Sequence, residues 1–248
     1  MKRPTVGIIG YGRFGRLAAR YITRLADVVV YDPARKNIRS KGNSIRRVSL
    51  TEAAGQDVVI FAVPVSSLRN VLRSIRSLVR PGALILDVCA VKMKPVEWMK
   101  RLLPRHVHIL GTHPLFGPDS AALSLKEHTI VLCPVRCPER RLRQASRILR
   151  KAGLKVVRMT PAQHDRLVAV PLFIAQYLGR VAAQVVPSLQ TATPSSKRLS
   201  EVARMAENDS RQMFHDLFRF DPFARQAMVS IRQTIRGMDG MFRREKGG

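Results

Sequence analysis

Through its first two-thirds the chain alternates short, nearly uninterrupted apolar runs with stretches whose apolar residues recur at helical spacing. Thr5–Ile9, Asp27–Tyr31, Asp57–Val63, Ala83–Asp87, His106–Leu110, Thr129–Cys133 and Lys155–Met159 read as strands. Phe14–Leu25, Ser67–Val79, a segment running through Trp98 to Leu103, and Pro138–Ala152 read as helices, punctuated by Pro64, Pro81-Gly82 and Gly153. Strands apolar on both faces and separated by helices predict a mostly parallel sheet covered on both sides. After Pro161 the strand pattern stops. Residues 162–186 read as one long helix, apolar nearly all round; Ser188–Lys197 is a polar break, and Arg198–Phe218 and Pro222–Phe242 are further helices. The expected organisation is an α/β domain over 1–160 and an all-helical domain over 161–248.

A helical part of fewer than 90 residues with a helix apolar all round cannot cover itself, which predicts a homodimer joined through it. The whole chain, 248 residues with 46% apolar, excludes a disordered protein. Its longest apolar runs, such as Val58–Val65, have strand length, so no membrane span is expected. A strand almost at the start argues against a signal or transit peptide. Three cysteines make no disulfide framework and suggest a reducing cytoplasm. Cys133-x3-Cys137 has no second ligand pair nearby, so no metal site is expected, and Cys89 reads as strand-end packing.

The net charge of +27 is unusual, and 33 of the 44 basic residues are arginine. Such a charge suits a polyanion partner or a heavily solvated surface. Arg69, Arg73, Arg76 and Arg80 share one helix face, and no aromatic residue is interleaved with them for base stacking. The reading is a solvated face, with nucleic-acid contact at most non-specific and confined to low salt.

Gly10-Tyr11-Gly12-Arg13-Phe14-Gly15 follows the first strand and opens the first helix. Gly10 permits a tight turn, Gly12 lets backbone approach a pyrophosphate, and Gly15 allows close helix–strand packing. Asp32 ends the second strand, 22 residues past Gly10, where a carboxylate binds both hydroxyls of an adenine ribose. Together these predict a Rossmann-type dinucleotide-binding domain. Asp32 repels a 2′-phosphate and favours NAD, while Arg35 and Lys36 just downstream leave NADP as the lesser alternative.

In such sheets reactive groups gather at the carboxyl ends of strands. Two ends stand out: Asp87-Val-Cys-Ala-Val-Lys92 and Gly111-Thr-His-Pro-Leu-Phe-Gly-Pro118. Pro and Gly turn formers flank His113, which is expected to sit rigidly just past its strand.

These stretches, with Val59-Ile-Phe-Ala-Val-Pro64, Thr112–Ser120, His164-Asp165, Asn208-Asp-Ser210 and Asp221-Pro-Phe-Ala-Arg225, resemble the prephenate/arogenate dehydrogenases of tyrosine biosynthesis over nearly the whole chain. The resemblance implies a dinucleotide-binding domain followed by a helical dimerisation domain, and adds Val63 and Pro64 to the cofactor contacts. It implies oxidative decarboxylation: a hydride passes to the cofactor, the ring carboxylate leaves as carbon dioxide, and the ring becomes aromatic. The family histidine that accepts a hydrogen bond from the ring hydroxyl falls on His113, and a neutral imidazole suits that task.

Two positions depart from the family pattern. Ala90 stands where the family usually has a serine that contacts the ring hydroxyl, and Gln176 stands where it usually has a histidine facing the substrate. Two substrate carboxylates need a fixed cation, for which Lys197, Arg198 and Arg225 are candidates; Lys92 is a further expected substrate contact. Ala90 and Gln176 keep open a related dehydrogenase with an altered cyclohexadienyl or β-hydroxy-acid substrate. The high charge keeps open a catalytically weak NAD-binding or nucleic-acid-associated homologue.

Overall fold

The computed structural model describes residues 3–35, 45–185 and 193–245. Lys36, part of the expected polar break (188–192) and the last residues, 246–248, lie outside them. The described chain divides into two compact units, Met1–His164 and Asp165–Gly248.

Unit one is built on a single eight-stranded sheet. Its strands are β1 (Thr5–Ile9), β2 (Asp27–Tyr31), β3 (Ile45–Arg47), β4 (Val58–Phe61), β5 (Leu84–Asp87), β6 (His108–Pro114), β7 (Thr129–Arg136) and β8 (Lys155–Arg158), in the order β3-β2-β1-β4-β5-β6-β7-β8. The helices between them are α1 (Arg13–Ile22), α2 (Leu50–Ala54), α3 (Val65–Ile75), α4 (Met93–Leu102) and α5 (Glu139–Lys151). The first six strands run parallel; β7 is antiparallel to β6 and parallel to β8. Ile8, Val59, Phe61, Ile85 and Ile109 are fully enclosed, which is why these strands read as continuous apolar runs.

Short β3 and α2 escape the sequence pattern. β3 is only Ile-Arg-Arg, and α2 is five residues begun by Ser49, whose hydroxyl accepts from Glu52 N. On α3, Leu68, Leu72 and Ile75 are fully buried while Arg69, Arg73, Arg76 and Arg80 are exposed, and Arg80 pairs with Asp57 at 2.8 Å. The helix ends at Ile75, short of the expected Val79, so only Arg69 and Arg73 lie on its solvated side; Arg76 is its C-cap and Arg80 lies beyond it. Over the sheet between α1 and α5 lies an apolar cavity of about 520 Å³, walled by residues such as Val58, Leu86 and Ile148. It offers no polar group pattern for a dinucleotide.

A short helix, α6 (Pro161–His164), and a π-helical turn, Asp165–Ala169, lead into α7 (Val170–Val185). The expected single regular helix is therefore interrupted by a wider turn. One apolar stretch bears on the expectation of no membrane span without overturning it, since the core helix of a soluble protein has the same length and composition. Pro161–Val185, 25 residues with a mean hydropathy of 1.3, is long and apolar enough to cross a membrane by length and composition. In unit two, α8 (Pro194–Asn208), α9 (Arg211–Phe220) and α10 (Pro222–Glu245) accompany α7. The expected helix Arg198–Phe218 is two helices. Asp209 is extended and Ser210 caps α9 by accepting from Met213 N, which restarts the chain in a new direction. Phe173, fully buried on α7, stacks against Phe214 of α9 with 5.8 Å between ring centres.

Candidate active site

The sheet register brings the carboxyl ends of five strands together. Ile9 pairs with Tyr31 and with Phe61, Phe61 with Asp87, and Asp87 with Gly111. Gly10, Asp32, Val63, Ala90 and His113 each follow those positions by one to three residues, so they share one edge of the unit.

The glycine loop has the features a dinucleotide needs. Gly10 has φ +101°, a left-handed backbone open to glycine, and a Cβ there would lie 2.4 Å from Ala62 O. A Cβ on Gly15 would lie 2.1 Å from Gly10 O, so α1 packs against the loop closer than any side chain permits. A Cβ on Gly12 would meet nothing within 4 Å, which leaves open space beside the helix start. Gly12 is also the N-cap of α1 and brings no side chain to cap it. A helix start without a side-chain cap is the end at which an anion is favoured. Asp32 Oδ2 accepts from Tyr11 N at 2.7 Å and Oδ1 from Ala34 N at 2.9 Å, which fixes the carboxylate beside the loop. Arg13 pairs with Asp119 at 2.6 Å. These residues fit a bound dinucleotide.

Next to the loop, Lys92 and Asp87 form an ion pair with both side chains fully enclosed. Lys92 Nζ also donates to Thr112 O at 2.6 Å, and Cys89 N donates to Asp87 Oδ2 at 3.1 Å. The expectation that Lys92 binds substrate is corrected: its ammonium ties the end of β5 to β6 inside the protein. Breaking such a pair from one side leaves an uncompensated charge and costs about 3–5 kcal/mol. Ala90, partly buried, lies in the segment this clamp holds.

His113 is not in a loop after its strand. It lies within β6, opposite Val131 of antiparallel β7, and is only 7% exposed. Its Nδ1 is 2.8 Å from Nε2 of His164, which is fully buried on α6. Burial, reinforced by the charges of His164 and Lys92, pushes the His113 pKa well below its ordinary 6.5. The ring is held neutral at physiological pH, as a proton acceptor must be.

In unit two, Gln176 is 4% exposed and donates from Nε2 to Asp209 Oδ2 at 2.7 Å. Arg180 joins them, donating to Asp209 O at 3.0 Å and lying 5.2 Å from the Phe214 ring centre. Lys197 and Arg198 are exposed at the start of α8. Arg225 is spent differently from the expected substrate contact: it donates to Arg219 O at 2.9 Å and Phe218 O at 3.4 Å and so caps the end of α9. Among the described residues no cluster of potential metal ligands occurs, and no disulfide is formed by Cys89, Cys133 or Cys137.

From sequence, His164, Asp209 and Asp87 enter only within the stretches that carry the resemblance, and neither they nor Arg180 receive a contact. His164 stands 51 residues from His113, and no local pattern joins them. Arg180 and Asp209 lie 29 apart on different helices. The Asp87–Lys92 clamp had a readable sign, a lysine in an otherwise apolar strand-end segment.

A parallel sheet with an uncapped glycine-rich helix start and an acid after the neighbouring strand defines a dinucleotide-binding protein. The chain belongs to the prephenate dehydrogenase family: the model of that family's nucleotide-binding domain matches residues 26–158. Among similar proteins, arogenate dehydrogenase 2 (chloroplastic) of Arabidopsis thaliana is 29% identical over 240 residues, covering 91% of this chain and 66% of its own length. A probable arogenate/prephenate dehydrogenase of Methanocaldococcus jannaschii is 24% identical over 234 residues, covering 88% of this chain and 52% of its own. The chain thus spans between half and two-thirds of these relatives. A crystal structure of prephenate dehydrogenase from Aquifex aeolicus, in complex with hydroxyphenyl propionate and NAD+, shares the fold at a TM-score of 0.74 and 19% identity, covering 100% of this chain and 93% of that one.

Proposed function

We propose that this chain catalyses the oxidative decarboxylation of prephenate or arogenate, with NAD preferred over NADP. The observation that carries this reading is His113: a buried, neutral imidazole on the sheet edge that holds the glycine loop, in a chain of the prephenate dehydrogenase family. The glycine loop, Asp32, Val63 and Pro64 would hold the dinucleotide, which when bound supplies the hydride acceptor. His113 accepts the ring hydroxyl proton at Nε2 as the carbon bearing it is oxidised. It returns that proton to the oxygen as the ring carboxylate leaves as carbon dioxide and its bonding pair completes the aromatic ring. No net proton is consumed at the histidine. Lys197, Arg198 and Arg180, the last fixed by Asp209, are candidate cations for the substrate carboxylates.

The test is direct. The chain is mixed with prephenate or arogenate and either NAD or NADP, and the absorbance of reduced cofactor is followed. Turnover of one substrate, faster with NAD, supports the reading; no turnover of either sinks it. Ala90 and Gln176 favour a second reading, a cyclohexadienyl substrate altered at the ring substituent. Under it the same assay stays silent with the two usual substrates while NAD still binds.

The molecule is further proposed to be a cytoplasmic homodimer joined through unit two. Of the 15 large apolar side chains exposed among the described residues, 11 lie after His164, including Leu167 (62%), Val185 (69%) and Met205 (61%). Apolar surface so concentrated supports burial against a second copy.

A further inference from the structure

We infer that His164 is a positioning residue that fixes the tautomer of His113. The inference rests on the assignment of His113 as the proton acceptor. The two rings meet at 64° with centres 5.0 Å apart, and Nδ1 of His113 is 2.8 Å from Nε2 of His164. One hydrogen lies between these two nitrogens, and which ring owns it decides the chemistry. If His164 owns it, His113 must carry its own proton on Nε2 and has no lone pair for a hydroxyl. If His113 owns it, Nε2 is bare and ready to accept.

His164 therefore acts as an acceptor through Nε2, holding the His113 proton on Nδ1. The pair is enclosed, with His164 fully buried and His113 nearly so, and the Lys92 charge lies close by. Two imidazolium rings do not coexist in that space, so the pair holds at most one added proton. When Nε2 of His113 takes the hydroxyl proton, the Nδ1–H bond to neutral His164 becomes charge-assisted and stabilises the transient cation. This is the same division of labour as a base oriented by a third group, with an imidazole in place of a carboxylate. A neutral partner stabilises the cation less than a carboxylate does. That suits a step in which the proton is lent and then returned.

Long-range proton–nitrogen NMR of 15N-histidine-labelled protein, with His113 assigned through His113→Asn, reads the tautomer without substrate. The inference expects native His113 to carry its proton on Nδ1 and to have an unprotonated Nε2. In His164→Leu the proton should move to Nε2, and kcat should fall by about 10²-fold or more, the scale of a wrongly protonated base, with dinucleotide affinity little changed. His164→Gln, whose side-chain oxygen reaches the place of Nε2, should keep the Nδ1–H form and most of the rate. Native His113 protonated on Nε2 would overturn the inference, as would an unchanged tautomer in His164→Leu. Should the leucine variant fail to fold, the native spectrum and His164→Gln decide. Absent turnover in a native chain with the expected tautomer would count against the dehydrogenase reading alone.

Discussion

Asp32 and Tyr11 are joined by a 2.7 Å hydrogen bond from the Tyr11 amide to Oδ2, so the acid at the end of β2 also shapes the glycine loop. Each oxygen of this carboxylate accepts one backbone N–H and keeps a lone pair for a ribose hydroxyl. Asp32→Ala should weaken NAD binding by about tenfold or more, since hydrogen bonds to a charged group are worth roughly 1.5–3 kcal/mol. It should leave NADP binding less affected, because a 2′-phosphate no longer faces the negative charge. Calorimetric titration of both cofactors reads the ratio. A native chain that binds NADP as tightly as NAD would assign control to Arg35, which is exposed beside the site.

Ala90 sits in the segment clamped by Asp87 and Lys92; under the proposed function, a serine there would add one hydrogen bond to the ring hydroxyl. Such a bond, if felt in the transition state, is worth about 1–3 kcal/mol, or roughly 10–100-fold in rate. Ala90→Ser should therefore raise kcat/KM on the accepted substrate. Gln176→His tests the second departure from the family pattern. It also has a structural cost, since Gln176 donates to Asp209. Steady-state kinetics of the two single variants and the double variant measure this. An Ala90→Ser chain no faster than native would mean either that water already fills the place of the hydroxyl or that the true substrate has no hydroxyl there.

Asp221 caps α10 through Oδ1, which accepts from Phe223 N at 2.9 Å, while Oδ2 is buried with no hydrogen-bond partner among the described residues. Burial, with the nearby Asp165 charge, raises its pKa from 3.8 to about 6. A raised carboxylate is stabilising while protonated, and that contribution is lost as pH rises through about 6. Asp221→Asn keeps the cap and removes the charge. The rise is worth at most about 3 kcal/mol, and solvent screening brings the expected gain at neutral pH to about 1–2 kcal/mol. Denaturant melts at about pH 5 and pH 7.5 should show a larger gain at the higher pH, because the penalty on the native carboxylate builds up between its ordinary 3.8 and about 6. An equal effect at both would place the benefit elsewhere.

The exposed apolar positions of unit two predict that the protein sediments and scatters light as a dimer. Replacing Val185 and Met205 by Lys should shift it toward monomer without changing NAD affinity. A native chain that is monomeric at concentrations used for assay contradicts the proposed assembly.

The sheet was legible because a strand buried on both faces must be apolar at every position, as Val59–Phe61 and Leu84–Leu86 are. The glycine loop was legible because its constraints are local: a left-handed Gly10 and a Gly15 pressed against Gly10 O. His113 was placed one element off because β6 runs on through Pro114 by pairing with β7, a non-local partnership that the Gly and Pro flanks hide. Its pairing with His164 is equally non-local. The split between α8 and α9 turned on Ser210 acting as a cap, which a helical pattern running through it conceals. Lys92 carried the sign of a substrate contact, and only its complete burial with Asp87 shows that the charge is already used.

The central claim is that His113 takes the hydroxyl proton in a dinucleotide-dependent oxidation. The measurement that meets it most directly is kcat for native protein and His113→Asn on the accepted substrate, with the dinucleotide dissociation constant determined for both. General-base assistance is worth about 10²–10⁴-fold, so kcat should fall by that factor while the dissociation constant changes by less than about threefold. The native profile of kcat/KM should stay level down through pH 6.5 and turn over only below it, because the free-enzyme pKa of His113 is pushed well under that value. A loss of less than about tenfold in His113→Asn, with cofactor still bound, would contradict the account and require another group to carry the proton.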